Sequence, residues 1–211
     1  MKIIDSYAAL PVGKYLEILA VNKEDREDID KQVATIAILA DVPEEDLLNI
    51  PLTDYASLAA AADFLRHEDK GTHKVADHYR IGGFDLVPVA DPTKLTAGQY
   101  IDFQTLTKED QDTHLAQLLS VVLVPKGKKY GDGYDIGDVQ KAIRDGLSVT
   151  DALSVLAFFF VSLRASIATS LTYSKRAAKG LRNKATRREM ERLIRETEAT
   201  LFRTAGAGSL R

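Results

Sequence analysis

Cysteine and tryptophan are both missing from this chain of 211 residues, methionine occurs twice and proline six times. Without a thiol there is neither a disulfide framework nor a thiolate metal site, which excludes the stapled scaffolds of small secreted domains. The opening Met1-Lys2-Ile3-Ile4-Asp5-Ser6-Tyr7 has one lysine and no long apolar stretch, so it lacks the plan of a secretory signal, and the expected location is cytoplasmic. No GxSxG, HExxH or GxGxxG pattern occurs. Enzymatic activity is not expected from such a sequence.

What is present is enough apolar composition, 45%, to bury a core, in a length that fits one large or two small domains. The net charge of −3 hides an asymmetry. From Arg164 to Arg211 there are twelve Lys/Arg against four Glu, a net +8 that leaves −11 upstream. An acidic body with a basic tail suits nucleic acid, an anionic surface or an acidic protein as partner, or a solvated helix face.

The hydrophobic period makes the chain mainly α. Tyr15, Leu16, Leu19 and Ala20, then Ile29, Val33, Ile36, Ile38 and Leu39, recur at helical spacing, with Glu24, Asp25, Glu27 and Asp28 expected in the first turn of a second helix starting near Asn22. Pro43 suits a first helical position, Pro51 ends a short helix, and Thr53 is placed to cap the next, which includes Tyr55, Leu58 and Phe64.

The period changes at "HYRIGGFDLVPV". Tyr79 and Ile81 alternate with Arg80, Gly82-Gly83 supplies a two-residue turn, and Phe84, Leu86 and Val87 resume beyond it. This hairpin is expected to be the only sheet. Thr96 to Gln99 then reads as a capping box before a helix whose buried face is Tyr100, Ile101, Phe103 and Leu106. Thr107 to Asp110 has a related polar pattern before a helix carrying Leu115, Leu118, Leu119, Val122 and Leu123, stopped by Pro125. Asp135 or a neighbour starts "IGDVQKAIRDGL", and Ser148 to Asp151 opens the run from Ala152. A last helix is expected from about Thr186 to Phe202, with Met190, Leu193, Ile194 and Leu201 on one side, before a frayed end. The resulting architecture is a helical bundle with one small β-hairpin near the middle and a basic C-terminal helix. It divides into helical hairpins over 1–70, the hairpin over 71–92, the main bundle over 93–173 and the basic helix and tail over 174–211.

Candidate chemistry is thin. His67, His73, His78 and His114 match no zinc spacing, and Asp132, Asp135 and Asp138 lack the alternate oxygens and distal Glu of a calcium loop, so capping and turn formation account for them. No metal and no cofactor is expected. "PKGKKYGDG" lacks the GK[ST] ending of a phosphate loop and reads as a mobile basic loop. The run from Ala152 to Leu163 has no charge and three consecutive phenylalanines, but a bilayer span needs about 20 apolar residues, and Arg164 interrupts it. A core helix, or one facing a partner, is the expectation, with no integral membrane segment. The cations that follow keep a membrane-surface role in view.

The hairpin, "LTAGQYIDFQTL" and the helices from Leu115 to Phe160 together resemble small proteins encoded among the structural genes of tailed bacteriophages of Bacteroides-type hosts, nearest to the phage tail assembly chaperones. The resemblance covers about half the chain and leaves out the first helices and the basic tail. It implies a non-catalytic protein of the host cytoplasm that binds the tape-measure or tail-tube protein during tail morphogenesis. Capture of a long helical chain calls for exposed apolar surface. Val155, Phe158, Phe159 and Val161 are the candidates for it, with Arg187, Arg188, Arg192 and Arg195 steering an acidic helix. The competing reading is a virion structural protein, a head-tail connector or an internal protein, whose basic tail contacts DNA. Either reading leaves room for an oligomer.

Overall fold

The structure, a computed structural model, describes residues 2–67, 74–108, 113–180 and 192. The chain is mainly helical: α1 (Val12–Lys23), α2 (Asp28–Ala40), α3 (Glu44–Leu48), α4 (Leu52–Ala61), α5 (Ala97–Leu106), α6 (Leu115–Val122), α7 (Ile136–Gly146) and α8 (Val149–Gly180). Three short strands, β1 (Tyr79–Ile81), β2 (Phe84–Pro88) and β3 (Leu123–Pro125), form one antiparallel sheet in that order.

The predicted hairpin is β1 and β2. Tyr79 pairs with Leu86 and Ile81 with Phe84, and Gly82 and Gly83 both have positive φ, 54° and 82°, as a type I′ turn requires. The hairpin is not the whole sheet, because β3 adds to its far edge, with Leu86 opposite Pro125 and Pro88 opposite Leu123. The expectation had been helix through Leu123. Pro125 restricts the residue before it to extended backbone, and Leu123 already leaves the helix at φ −112°, ψ 109°. The freed segment finds an open strand edge, and Pro125, which has no N–H to donate, occupies the last ladder position.

α6 is the centre of the body. All its residues but Gln117 are buried, and around it pack α5, α7, α8 and the sheet. α7 is held at unusually short range by small residues. A Cβ on Gly82 would come within 2.5 Å of the Ala142 Cβ, one on Gly13 within 2.9 Å of the Arg144 carbonyl oxygen, and one on Gly146 within 3.2 Å of Ile81. The hairpin tip, the start of α1 and the end of α7 therefore meet backbone to backbone. Val12 N–H donates to the Leu147 carbonyl at 2.9 Å and Val149 N–H to the Leu10 carbonyl at 2.8 Å, so the start of α1 is stitched to the start of α8.

Several local boundaries differ from the sequence expectation. α1 runs on to Lys23 and α2 starts at Asp28, so only Asp28 and Asp30 sit in its first turn. Glu24 instead belongs to the connector, where Arg26 pairs with it and, at 3.3 Å, with Glu44. α4 begins at Leu52 with Pro51, not Thr53, in the cap position, because the proline ring already sets a helix-entry φ of −57°. Lys14 Nζ reaches both the Ile38 carbonyl and Asp41 at 2.9 Å, which ties α1 to the left-handed C-cap of α2. Leu10, Ile18, Leu39 and Val149 form a buried cluster there, joining the first helices to α8 across the proposed divisions of the chain.

Three predicted caps are found in place. Thr96 and Gln99 make both bonds of the capping box, Asp135 accepts from Gly137 N–H, and Ser148 accepts from Asp151 N–H at 3.1 Å while donating to its carboxylate. Thr107 does not cap the following helix; its hydroxyl donates back to the Phe103 carbonyl and closes α5. The last predicted helix, the residues of its apolar side and the C-terminal end lie outside the described residues, except Arg192, which is helical and exposed.

Candidate partner-binding face

α8 is the long element of the molecule, 32 residues, or about 48 Å at 1.5 Å per residue. Its two halves have different surroundings. In the first half Ala152, Val155, Leu156 and Phe159 are buried against α6 and α5, with the Phe103 ring edge-on to Phe159 at 4.9 Å and tilted against Phe160 at 5.7 Å. Among the described side chains Leu163 is the last packed on this core. From Arg164 to Gly180 the helix runs on for about 25 Å.

Two of the four apolar residues offered to a partner are therefore core. Val155 and Phe159 are each 1% exposed, because the 3–4 spacing that links them with Ala152 and Leu156 faces α6. Phe158 and Val161 point the other way, 39% and 66% exposed. The face they open is longer than the sequence suggested. Ala165, Ala168 and Thr172 are all exposed and continue Phe158 and Val161 at alternating intervals of three and four, which is the spacing of one helix face. Tyr173, 75% exposed, lies beside the end of this row.

Of the four arginines expected to steer a partner, Arg192 is helical and exposed, and Arg187, Arg188 and Arg195 lie outside the described residues.

The α5 entry was expected to turn Tyr100 and Ile101 inward. Both are exposed, Ile101 by 61%, and Gln99 is buried in their place. The capping box sets the phase: Gln99, Phe103 and Leu106 share a face, and the Gln99 amide donates to the Val121 carbonyl at the end of α6. Gln99 thus serves the cap and the core with one side chain. A polar residue facing inward on an otherwise weakly amphipathic helix gives no hydrophobic signal, which is why periodicity missed it.

Loop 126–135 is laid against the body, with Tyr130 and Tyr134 packed on the core. Gly127, Gly131 and Gly133 take positive φ, Tyr134 OH accepts from Gly131 N–H at 3.2 Å, and Tyr130 OH donates to Asp102 on α5 at 3.0 Å. Burial, and then the hydrogen bond to Asp102, push the Tyr130 phenol well above the ordinary tyrosine value. Two tyrosines anchor what composition alone presented as a lysine-glycine loop.

Catalytic or ligand chemistry does not gather elsewhere among the described residues. His67 sits 3.3 Å from Asp63 and His78 3.7 Å from Asp85, far apart in the chain and in different elements, and no three His, Asp or Glu side chains form a metal-binding group. A cleft of about 380 Å³ between α1, α2 and the 3₁₀ turn Ala62–Arg66 is lined by Tyr7, Ile18, Lys31, Asp63 and others, with Asp63 engaged by Arg66 and His67.

Val149–Ser174 is long and apolar enough to cross a membrane by length and composition, with mean hydropathy 1.8 and 29% of its window buried in the fold. Its buried part is the wall of the core around α6. Drawing that part into a bilayer would expose Leu118, Leu119 and Phe103, so the embedded half is committed to the body. No protein-family model matches the chain, and neither a curated protein nor a solved structure is significantly similar to it.

Proposed function

We propose that this protein is a non-catalytic phage assembly protein of the tail assembly chaperone kind, and that it holds an amphipathic helix of its client along the outward face of α8. The observation that carries the reading is the exposed row Phe158, Val161, Ala165, Ala168 and Thr172, on a helix whose first half is rooted in the core. A helix presented in this way is one half of a helix-helix interface, with spacing suited to knobs-into-holes contact. The tape-measure protein, a long helical chain, is the client that the resemblance implies. The net +8 from Arg164 onward favours an acidic client helix and speeds encounter.

The same charge supports a second reading, a virion structural protein whose basic segment contacts DNA. Quantitative mass spectrometry of producing cells against purified particles separates the two. Presence in the lysate with absence from particles is the expected result; stoichiometric presence in particles overturns the chaperone reading and makes DNA titration across a salt series the next measurement. Capture of the tape-measure protein from co-expressing cells is expected to be lost on Val161→Glu, and capture unchanged by that substitution removes α8 as the client site.

A further inference from the structure

We infer that, before a client arrives, the outward face of α8 is covered by the α8 of a second copy of this chain, running antiparallel. The inference rests on the reading of α8 as a helix-docking face and names what occupies it in the free protein.

The row is graded in size. Phe158 and Val161 stand at its N-terminal end, Ala165 and Ala168 at its C-terminal end. A parallel pair would set Phe158 against Phe158 and Ala168 against Ala168, crowding one end and leaving a gap at the other. An antiparallel pair sets Phe158 against the second copy's Ala168, and Val161 against its Ala165. Large meets small at every step, which is what close packing of two facing layers requires. The contact is isologous and closes at two copies.

Charge selects the same direction. The antiparallel register points the C-terminal end of α8 toward the N-terminal end of the other α8. There Asp151 lies in the first turn. In sequence the region from Arg164 carries +8 and everything before it −11, and an antiparallel pair directs the two basic segments away from each other. A parallel pair would instead bring the two basic segments together.

The chain's lack of cysteine makes the test direct. The full-length protein is examined by sedimentation equilibrium over a concentration series, and single cysteines are introduced as Val161→Cys and Ala165→Cys, both at exposed positions. Expected are a mass twice the 23.2 kDa of the chain, and a disulfide between the two variants when mixed that forms faster than in either variant alone. Val161→Glu is expected to weaken the pair by about tenfold or more with an unchanged circular dichroism spectrum. A 23.2 kDa species at all concentrations, or Val161→Cys cross-linking fastest with itself, overturns the inference. So does flotation of the wild-type chain with anionic phosphatidylserine vesicles that Val161→Glu abolishes, since the face would then be a lipid surface. A monomer that still loses tape-measure capture on Val161→Glu overturns self-pairing alone and leaves the docking face standing.

Discussion

Phe158 and Phe159 are neighbours on one helix and belong to different parts of the molecule. Phe159 packs edge-on against Phe103 inside a body where α7 approaches α1 and the hairpin tip through three glycines, while Phe158 opens a face that runs out with α8. The body spends small residues, Gly13, Gly82 and Gly146, on bringing its own backbones together. The extension carries its small residues, Ala165 and Ala168, on the outside. Small residues in the body admit a close neighbour from this chain, and on the proposed docking face Ala165 and Ala168 would admit another helix in the same way.

That contrast breaks most sharply at the phenylalanine pair. Phe159→Ala should cost about 3–5 kcal/mol of stability by leaving a cavity beside Phe103, whereas Phe158→Ala should stay within about 1 kcal/mol. Chemical denaturation of both decides it, and equal losses would dissolve the division of α8 into an embedded and an outward side. Next in size, Gly82→Val should cost about 2–3 kcal/mol, since it combines a left-handed φ with overlap on Ala142. Gly83→Ala, with open space around it, serves as the control that isolates the φ term. Gln99→Ala should cost about 1–3 kcal/mol by orphaning the buried Val121 carbonyl; a smaller loss means that water replaces the amide.

The smallest effect is at Tyr130. Tyr130→Phe removes the bond to Asp102 and should cost about 1 kcal/mol. The neutral phenol is the donor and its pKa is raised in the folded state, so its contribution is complete below the ordinary value of about 10 and is lost as the pH rises through the raised one. The gap between wild type and variant should therefore hold steady up to about pH 10 and narrow above it, which melting curves across pH 8 to 12 would show.

Much of the fold was legible because it rests on local chemistry. Thr96 with Gln99, Asp135, Ser148 with Asp151, and the Gly82-Gly83 turn each announce themselves by residue type and spacing, and each is where it was expected. What was not legible depends on tertiary partners. The run Leu115 to Val124 is apolar throughout, and only the free edge of β2 decides that Leu123 onward is strand. Tyr100 and Ile101 look like core by hydrophobicity, but the phase of α5 is set by an amide that reaches Val121. For the candidate face the aromatic run was readable and its orientation was not. Val155 and Phe159 differ from Phe158 and Val161 only in which way α6 lies.

The stitch between residues 10–12 and 147–149 has a consequence for how the chain is made. The first helix cannot take its final place until more than two thirds of the polypeptide has been synthesised, because its backbone partners, Leu147 and Val149, and the α7 carbonyl beneath Gly13 come so late. Contacts of this span slow folding and leave the early helices waiting on the ribosome. The first 61 residues carry twelve Asp/Glu against five Lys/Arg, a net −7, and a segment so charged is well suited to wait in water. The core itself waits for α8, because Ala152, Val155, Leu156 and Phe159 belong to it, so the embedded and outward sides of that helix take their places together.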